Sequence, residues 1–159
     1  MTAQYEGYDV VPTHPGRLTR SVTVPHEGSG VSQARHAFAD EMATAKVSDE
    51  VRQDAMLVIS ELVSNAVKHA ASLQGGNVRV SCSIDDKCLR VEITDGGAVT
   101  RPNPAVATVF ALGGRGLDIV RTICREWGVV QEDHSVTVWA DVPRVRRPLT
   151  DTGVDIPGH

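Results

Sequence analysis

The segment Ile59-Ser60-Glu61-Leu62-Val63-Ser64-Asn65-Ala66-Val67-Lys68-His69-Ala70 constrains this chain more than any other. It is the second half of a helical pattern that starts near Ser48. There Val51, Ala55, Val58, Leu62 and Ala66 recur at three- and four-residue steps and form one apolar face turned to a core. Glu61, Asn65 and His69 follow one another at i, i+4 and i+8, a single polar line beside that face. Their neighbours are apolar nearly all round, which predicts burial. A carboxylate buried there needs either a partner on a crossing loop or a chemical task.

Two further stretches favour the task. Leu89-Arg90-Val91-Glu92-Ile93-Thr94-Asp95-Gly96-Gly97 is a strand running into a glycine turn, and its parity puts Asp95 on the core side with Leu89, Val91 and Ile93. Gly113-Gly114-Arg115-Gly116-Leu117-Asp118-Ile119-Val120 is a glycine loop opening a helix. Each has an ordinary reading by itself: Asp95 as a turn carboxylate, Gly113-Gly114 as a plain loop, Arg115 as a surface residue, His69 as a packing residue near a helix end. Together they supply what a nucleoside triphosphate needs. A carboxylate can read the base, backbone N–H groups at a helix N-terminus can hold phosphates, and a hard oxygen can bind the cation.

The order E-L-V-x-N-A-x-x-H-A, then D-G-G after a strand, then G-G-R-G-L-x-I-V opening a helix, resembles the N, G1 and G2 boxes of the Bergerat-fold (GHKL) ATPases, which include gyrase and the sensor histidine kinases. A chain this short is most similar to the anti-sigma factor serine kinases of bacterial partner switching. The resemblance covers roughly residues 18 to 143. It implies ATP and Mg²⁺ as cofactors, Glu61 as general base, Asn65 as the metal ligand, and Asp95 with Gly97 as the adenine site. Gly114, Arg115, Gly116 and Leu117 are then the phosphate loop. It also implies a sigma factor and a STAS-type anti-anti-sigma factor as partners, and a homodimer. The competing expectation is a protein-binding regulator of the same fold, nucleotide-gated or nucleotide-free, without phosphotransfer. The residues show no phosphoacceptor-histidine helix pattern, so a complete sensor kinase is not the expectation.

Two positions depart from the family pattern. Val99 stands where a second glycine is usual, which stiffens the hinge of a lid over residues 98 to 112. Ser135-Val136 stands where a Gly-Thr pair often adds an adenine contact, and Thr137, one residue later, faces the other way.

The expected fold is a two-layer α/β sandwich with a mixed, mostly antiparallel sheet covered on one face by three helices. Residues 1–17 read as a flexible arm, 18–143 as the ATP-binding domain and 144–159 as a disordered tail. Strands are expected over Leu18 to Val24, Val78 to Ile84, Leu89 to Asp95, Val129 to Glu132 and Val136 to Val142, and a first helix over Val31 to about Ala45. Ala71 to Gly76, small residues with a Gly-Gly pair as a stop signal, should end the long helix. The third should run from Gly116 past Trp127 to Gly128. One helical turn is expected around Val106 to Phe110. Trp139 should point outward from the sheet, either shielded by a terminal segment or anchoring a second protein.

Lys and Arg number 16 against 20 Asp and Glu, a net charge of −4, so direct nucleic-acid binding is not expected. Three cysteines at no metal-like spacing read as free thiols of a reducing compartment. With no long apolar run and no signal pattern, the expectation is a cytoplasmic protein without membrane contact.

Overall fold

The computed structural model describes residues 18–97 and 115–145. In chain order the elements are β1 (Leu18–Pro25), α1 (Gly28–Thr44), α2 (Asp49–His69), β2 (Asn77–Ile84), β3 (Cys88–Asp95), α3 (Arg115–Ile123), β4 (Glu126–Gln131) and β5 (Val136–Pro143). The strands form one sheet in the order β1-β2-β3-β5-β4. Every described pair is antiparallel, which is the greater part of the mixed sheet expected from sequence. The three helices pack on one face, and the two-layer sandwich stands.

Register explains the core. Val22, Val80, Ile93, Val138 and Val129 share one row across the sheet, and all belong to the apolar cluster. The helices complete it with Phe38 and Met42 from α1 and Val51, Ala55, Val58, Ile59, Leu62 and Val63 from α2. Ser48 caps α2 by accepting a hydrogen bond from the Val51 N–H at 3.2 Å. Asp49 and Glu50 in the first turn, and Lys68 and His69 in the last, suit the helix dipole.

The opposite face of the sheet is polar and interlocked. Arg90 donates to both carboxylate oxygens of Asp141 at 2.7 and 2.8 Å, and its guanidinium lies 4.3 Å from the centroid of the Trp139 ring. Trp139 does point to this face, half-buried, and its ring lies over Gly128, where a Cβ would come within 2.8 Å of it. Thr94 and Thr137 share a hydrogen bond of 2.8 Å on the same side.

Four expectations are corrected. The third helix ends at Ile123 instead of continuing through Trp127 to Gly128, because Glu126, Trp127 and Gly128 pair with Asp141, Ala140 and Trp139 as a strand. The apolar spacing that extends the helical pattern to Trp127 also fits the inward side of β4, and strand pairing wins. The long helix stops at His69, where Ala70 turns extended (φ −117°, ψ 161°), just ahead of the Ala71 to Gly76 stretch expected to end it, and the Gly75-Gly76 pair shapes the turn into β2. The first helix starts at Gly28, three residues early. The expected tail begins later than residue 144, because Arg144 donates from its backbone N–H to the Lys87 carbonyl and from its guanidinium to the Asp85 carbonyl, both at 3.0 Å. The helical turn expected around Val106 to Phe110, Val99 and the rest of the 98–112 lid, the arm over residues 1–17, residues 146–159 and Gly114 lie outside the described residues.

Candidate nucleotide site

The long helix α2 presents its polar line along the margin of its buried face. Glu61 and Asn65 are half-buried and His69 is exposed, while Leu62, Val63 and Ala66 beside them are buried. The full burial expected for Glu61 and Asn65 is therefore corrected: the helix surface there is amphipathic, with Leu57, one turn earlier, 41% exposed. Partial exposure spares the Glu61 carboxylate the full penalty of an unpaired buried charge.

Just past α2 the chain is fastened to the end of β3. The Ala71 N–H donates to the Gly97 carbonyl at 2.8 Å, and the Gly96 N–H donates to the Ala71 carbonyl at 2.8 Å. The approach is so close that a Cβ on Gly96 would sit 2.1 Å from the Ser72 oxygen. Only glycine fits there. Gly97, at φ +82°, turns its N–H back to Asp95 Oδ1 at 2.7 Å. The N box and the G1 turn, far apart in sequence, thus share one hydrogen-bonded frame.

Asp95 is the most constrained polar group of this frame. It is only 5% exposed, on the helix-covered side, and opposite Val136 in the β3–β5 register. Burial pushes its carboxyl up to about 6, against the pull of the Gly97 N–H and of the His26 charge. It is poised between an acceptor and a protonated group near neutrality. Val136 gives it an apolar wall, and Thr137 is turned away onto the other face, where Thr94 holds it.

His26 was not legible in the sequence, where it follows Pro25 in what reads as a strand-breaking run. Its Nε2 lies 3.0 Å from the Ala66 carbonyl and 2.8 Å from the Ala70 carbonyl, at the C-terminal turn of α2. No periodicity or motif would have found it, because both carbonyls it meets, of Ala66 and Ala70, are distant from it in sequence.

Arg115 opens α3, with Gly116 and Leu117 in its first turn, and α3 packs against α2. A helix N-terminus therefore does stand where the glycine loop ends. Among the described residues no cluster of three or more His, Cys, Asp or Glu could hold a metal ion, so a cation here would rest on an amide such as that of Asn65 together with ligand oxygens. Cys82, Cys88 and Cys124 are free, and burial raises Cys124 to about 12, which removes it as a nucleophile at neutral pH. No described helix is long and apolar enough to cross a membrane.

Comparison with known families matches residues 24–141 to the histidine kinase-like ATPase domain, most of the chain and all of the frame just described. The chain belongs to that family. No curated protein matches it closely enough to add a more specific assignment. Membership of a histidine kinase-like ATPase family implies ATP binding. The match extends from the end of β1 into β5.

Proposed function

We propose that this histidine kinase-like ATPase domain is a cytoplasmic anti-sigma factor. In this reading it sequesters a sigma factor and transfers the γ-phosphoryl group of ATP to a serine of a STAS-type antagonist. The observation that carries the proposal is the frame that ties the exit of α2, and with it Glu61 and Asn65, to the Asp95 turn. The resemblance of the three boxes to the serine kinases of partner switching supports the choice among the family's activities.

Each residue then has a task. Asp95 accepts from the exocyclic amine of adenine, and Gly97 keeps the backbone close to the base. Asn65 would hold Mg²⁺ through its amide oxygen. Gly114, Arg115, Gly116 and Leu117 would meet the phosphates at the α3 N-terminus. When bound, ATP and Mg²⁺ supply the electrophilic phosphorus and the neutralised leaving group. Glu61, one helical turn before Asn65, takes the proton of the attacking serine hydroxyl. The Oγ–P bond forms as the bond to the ADP oxygen breaks, and the proton passes from Glu61 to solvent.

A second reading keeps the fold and omits the transfer: a nucleotide-gated binding module. Val136 and the turned-away Thr137 favour it, because they leave adenine with one polar reader fewer than the family pattern. Transfer of radiolabelled γ-phosphate to a co-purified antagonist separates the two. Under the kinase reading Glu61→Gln binds ATP as before and loses transfer by about 10²–10⁴-fold, the usual worth of a positioned base. No transfer by a wild type that binds ATP leaves the binding module.

A further inference from the structure

We propose that His26 is a positioning residue of the ATP site: its imidazole clamps the last turn of α2 so that Asn65 and Asp95 address one ligand together. The inference rests on the ATP-binding reading and adds to it a residue outside the three boxes.

The geometry is specific. Two carbonyl oxygens lie on the same ring nitrogen, at 3.0 and 2.8 Å, so Nε2 carries the proton and donates to both. Ala66 and Ala70 bracket the end of α2, where carbonyls lose their intrahelical partners. The Ala66 carbonyl accepts from the Ala70 N–H at 3.1 Å, while Ala70 itself is extended and leaves the helix. His26 is in turn fixed from its own side. It directly follows Pro25, the last residue of β1, and its N–H donates to the Gly76 carbonyl at 3.0 Å.

The clamp adjoins both ligand-facing residues. Asn65 immediately precedes Ala66, and Ala71, immediately after Ala70, makes the two hydrogen bonds that hold Gly96 and Gly97 behind Asp95. The His26 charge also acts on the Asp95 carboxylate. Lys68 and His69 are the titratable groups of the same helix turn, and both are exposed. Removing the imidazole frees the α2 exit to move relative to β3. That loosens the alignment of the two ligand-facing residues more than it loosens the core, since of the buried residues of α2 only Ala66 lies in the clamped turn and the others run from Val51 to Val63.

The test compares wild type, His26→Ala and His26→Gln, whose side-chain amide can place an N–H near the Nε2 position. Titration calorimetry with Mg-ATP should show the dissociation constant raised about tenfold in His26→Ala, the scale of a lost buried hydrogen bond, and restored in His26→Gln. Amide hydrogen exchange without nucleotide should show Ala71 and Gly96 deprotected in His26→Ala and protected again in His26→Gln, with the amides of β2 and β3 unchanged. Wild-type affinity in His26→Ala overturns the proposal. So does an affinity loss in step with global deprotection, which would mark a merely structural residue, or a folded His26→Gln without recovery. A wild type that fails to bind ATP removes the ATP-binding reading itself, a result distinct from any of these because it appears before a variant is made.

Discussion

Two aspartates lie buried on the same sheet, on opposite faces, and they are treated differently. Asp141 on β5 accepts two hydrogen bonds from Arg90, whose guanidinium stacks in turn on Trp139. The hydrogen bonds that Arg90 donates to Asp141 also raise its guanidinium above the ordinary value, against burial. Asp95 on β3 has one backbone N–H at 2.7 Å and the charge of His26 nearby, and burial lifts it to about 6. A carboxylate that serves the fold is saturated by its partner. Asp95 is buried but left with acceptor capacity to spare, the cost of that appears in its protonation, and the proposed base contact would use that capacity.

The largest effect should come from breaking the saturated pair. Asp141→Ala leaves Arg90 half-buried without its partner and should cost about 3–5 kcal/mol of unfolding free energy in urea titrations. A loss of less than about 1 kcal/mol would mean that the pair behaves as an exposed one, and the contrast between the two aspartates would collapse.

Asp95→Asn should behave in the opposite way. Removing a carboxylate that folding pushes up by roughly two units relieves a penalty of up to about 3 kcal/mol at pH 7, so the nucleotide-free protein should melt no lower than wild type. The rise in melting temperature on adding Mg-ATP should vanish, because an amide presents donors where the base requires an acceptor. A retained shift would remove Asp95 from base recognition.

Acidification should separate fold from ligand without any mutation. Because the folded value of about 6 lies above the unfolded 3.8, the Asp95 contribution to stability is fully present below 3.8 and is lost as the pH rises through about 6. Between pH 7.5 and 5 this group therefore stabilises the nucleotide-free protein progressively. Over the same interval ATP affinity should fall by roughly the fraction of Asp95 ionised, about tenfold one unit below its midpoint. Calorimetric titrations at pH 7.5, 6 and 5 would show it, and a flat profile would place the base contact elsewhere.

The smallest effect concerns the outer face. Trp139→Ala gives up a cation–π contact worth about 0.5–1 kcal/mol and the packing over Gly128, while ATP binding should survive because the ring lies on the face away from Asp95. If the proposed homodimer forms through this face, sedimentation should also shift toward monomer. A wild type already monomeric at tens of micromolar would assign the ring wholly to the Arg90–Asp141 lattice.

Much of this comparison can be read locally. Alternation in Val78 to Ile84 and Leu89 to Ile93 requires two strands with one inward face, and continuing that parity puts Asp95 on the helix side. Ser48 before two acids marks the start of α2. The same local rules failed where two periodicities coincide, as at Trp127, or where helix termination depends on a distant acceptor. The end of α2 at His69 is held by hydrogen bonds between Ala71 and both Gly96 and Gly97, and by His26 on the Ala66 and Ala70 carbonyls, and neither His26 nor the Gly96-Gly97 turn adjoins it in sequence.

By itself the sequence determined element type and facing, because those follow from side-chain spacing along one short segment and from caps a few residues away. It also determined that a helix bearing Glu61 and Asn65, a strand ending in Asp95 and a helix opening near Gly116 belong to one chain in that order. Only the tertiary structure decided how deeply each polar group is buried, that Glu61 and Asn65 stay half-exposed while Asp95 does not, and that Asp141 is paired where Asp95 is not. The reason is physical: solvation and pairing depend on what other segments bring within about 3 Å of a group, and that distance has no signature in the local order of residues.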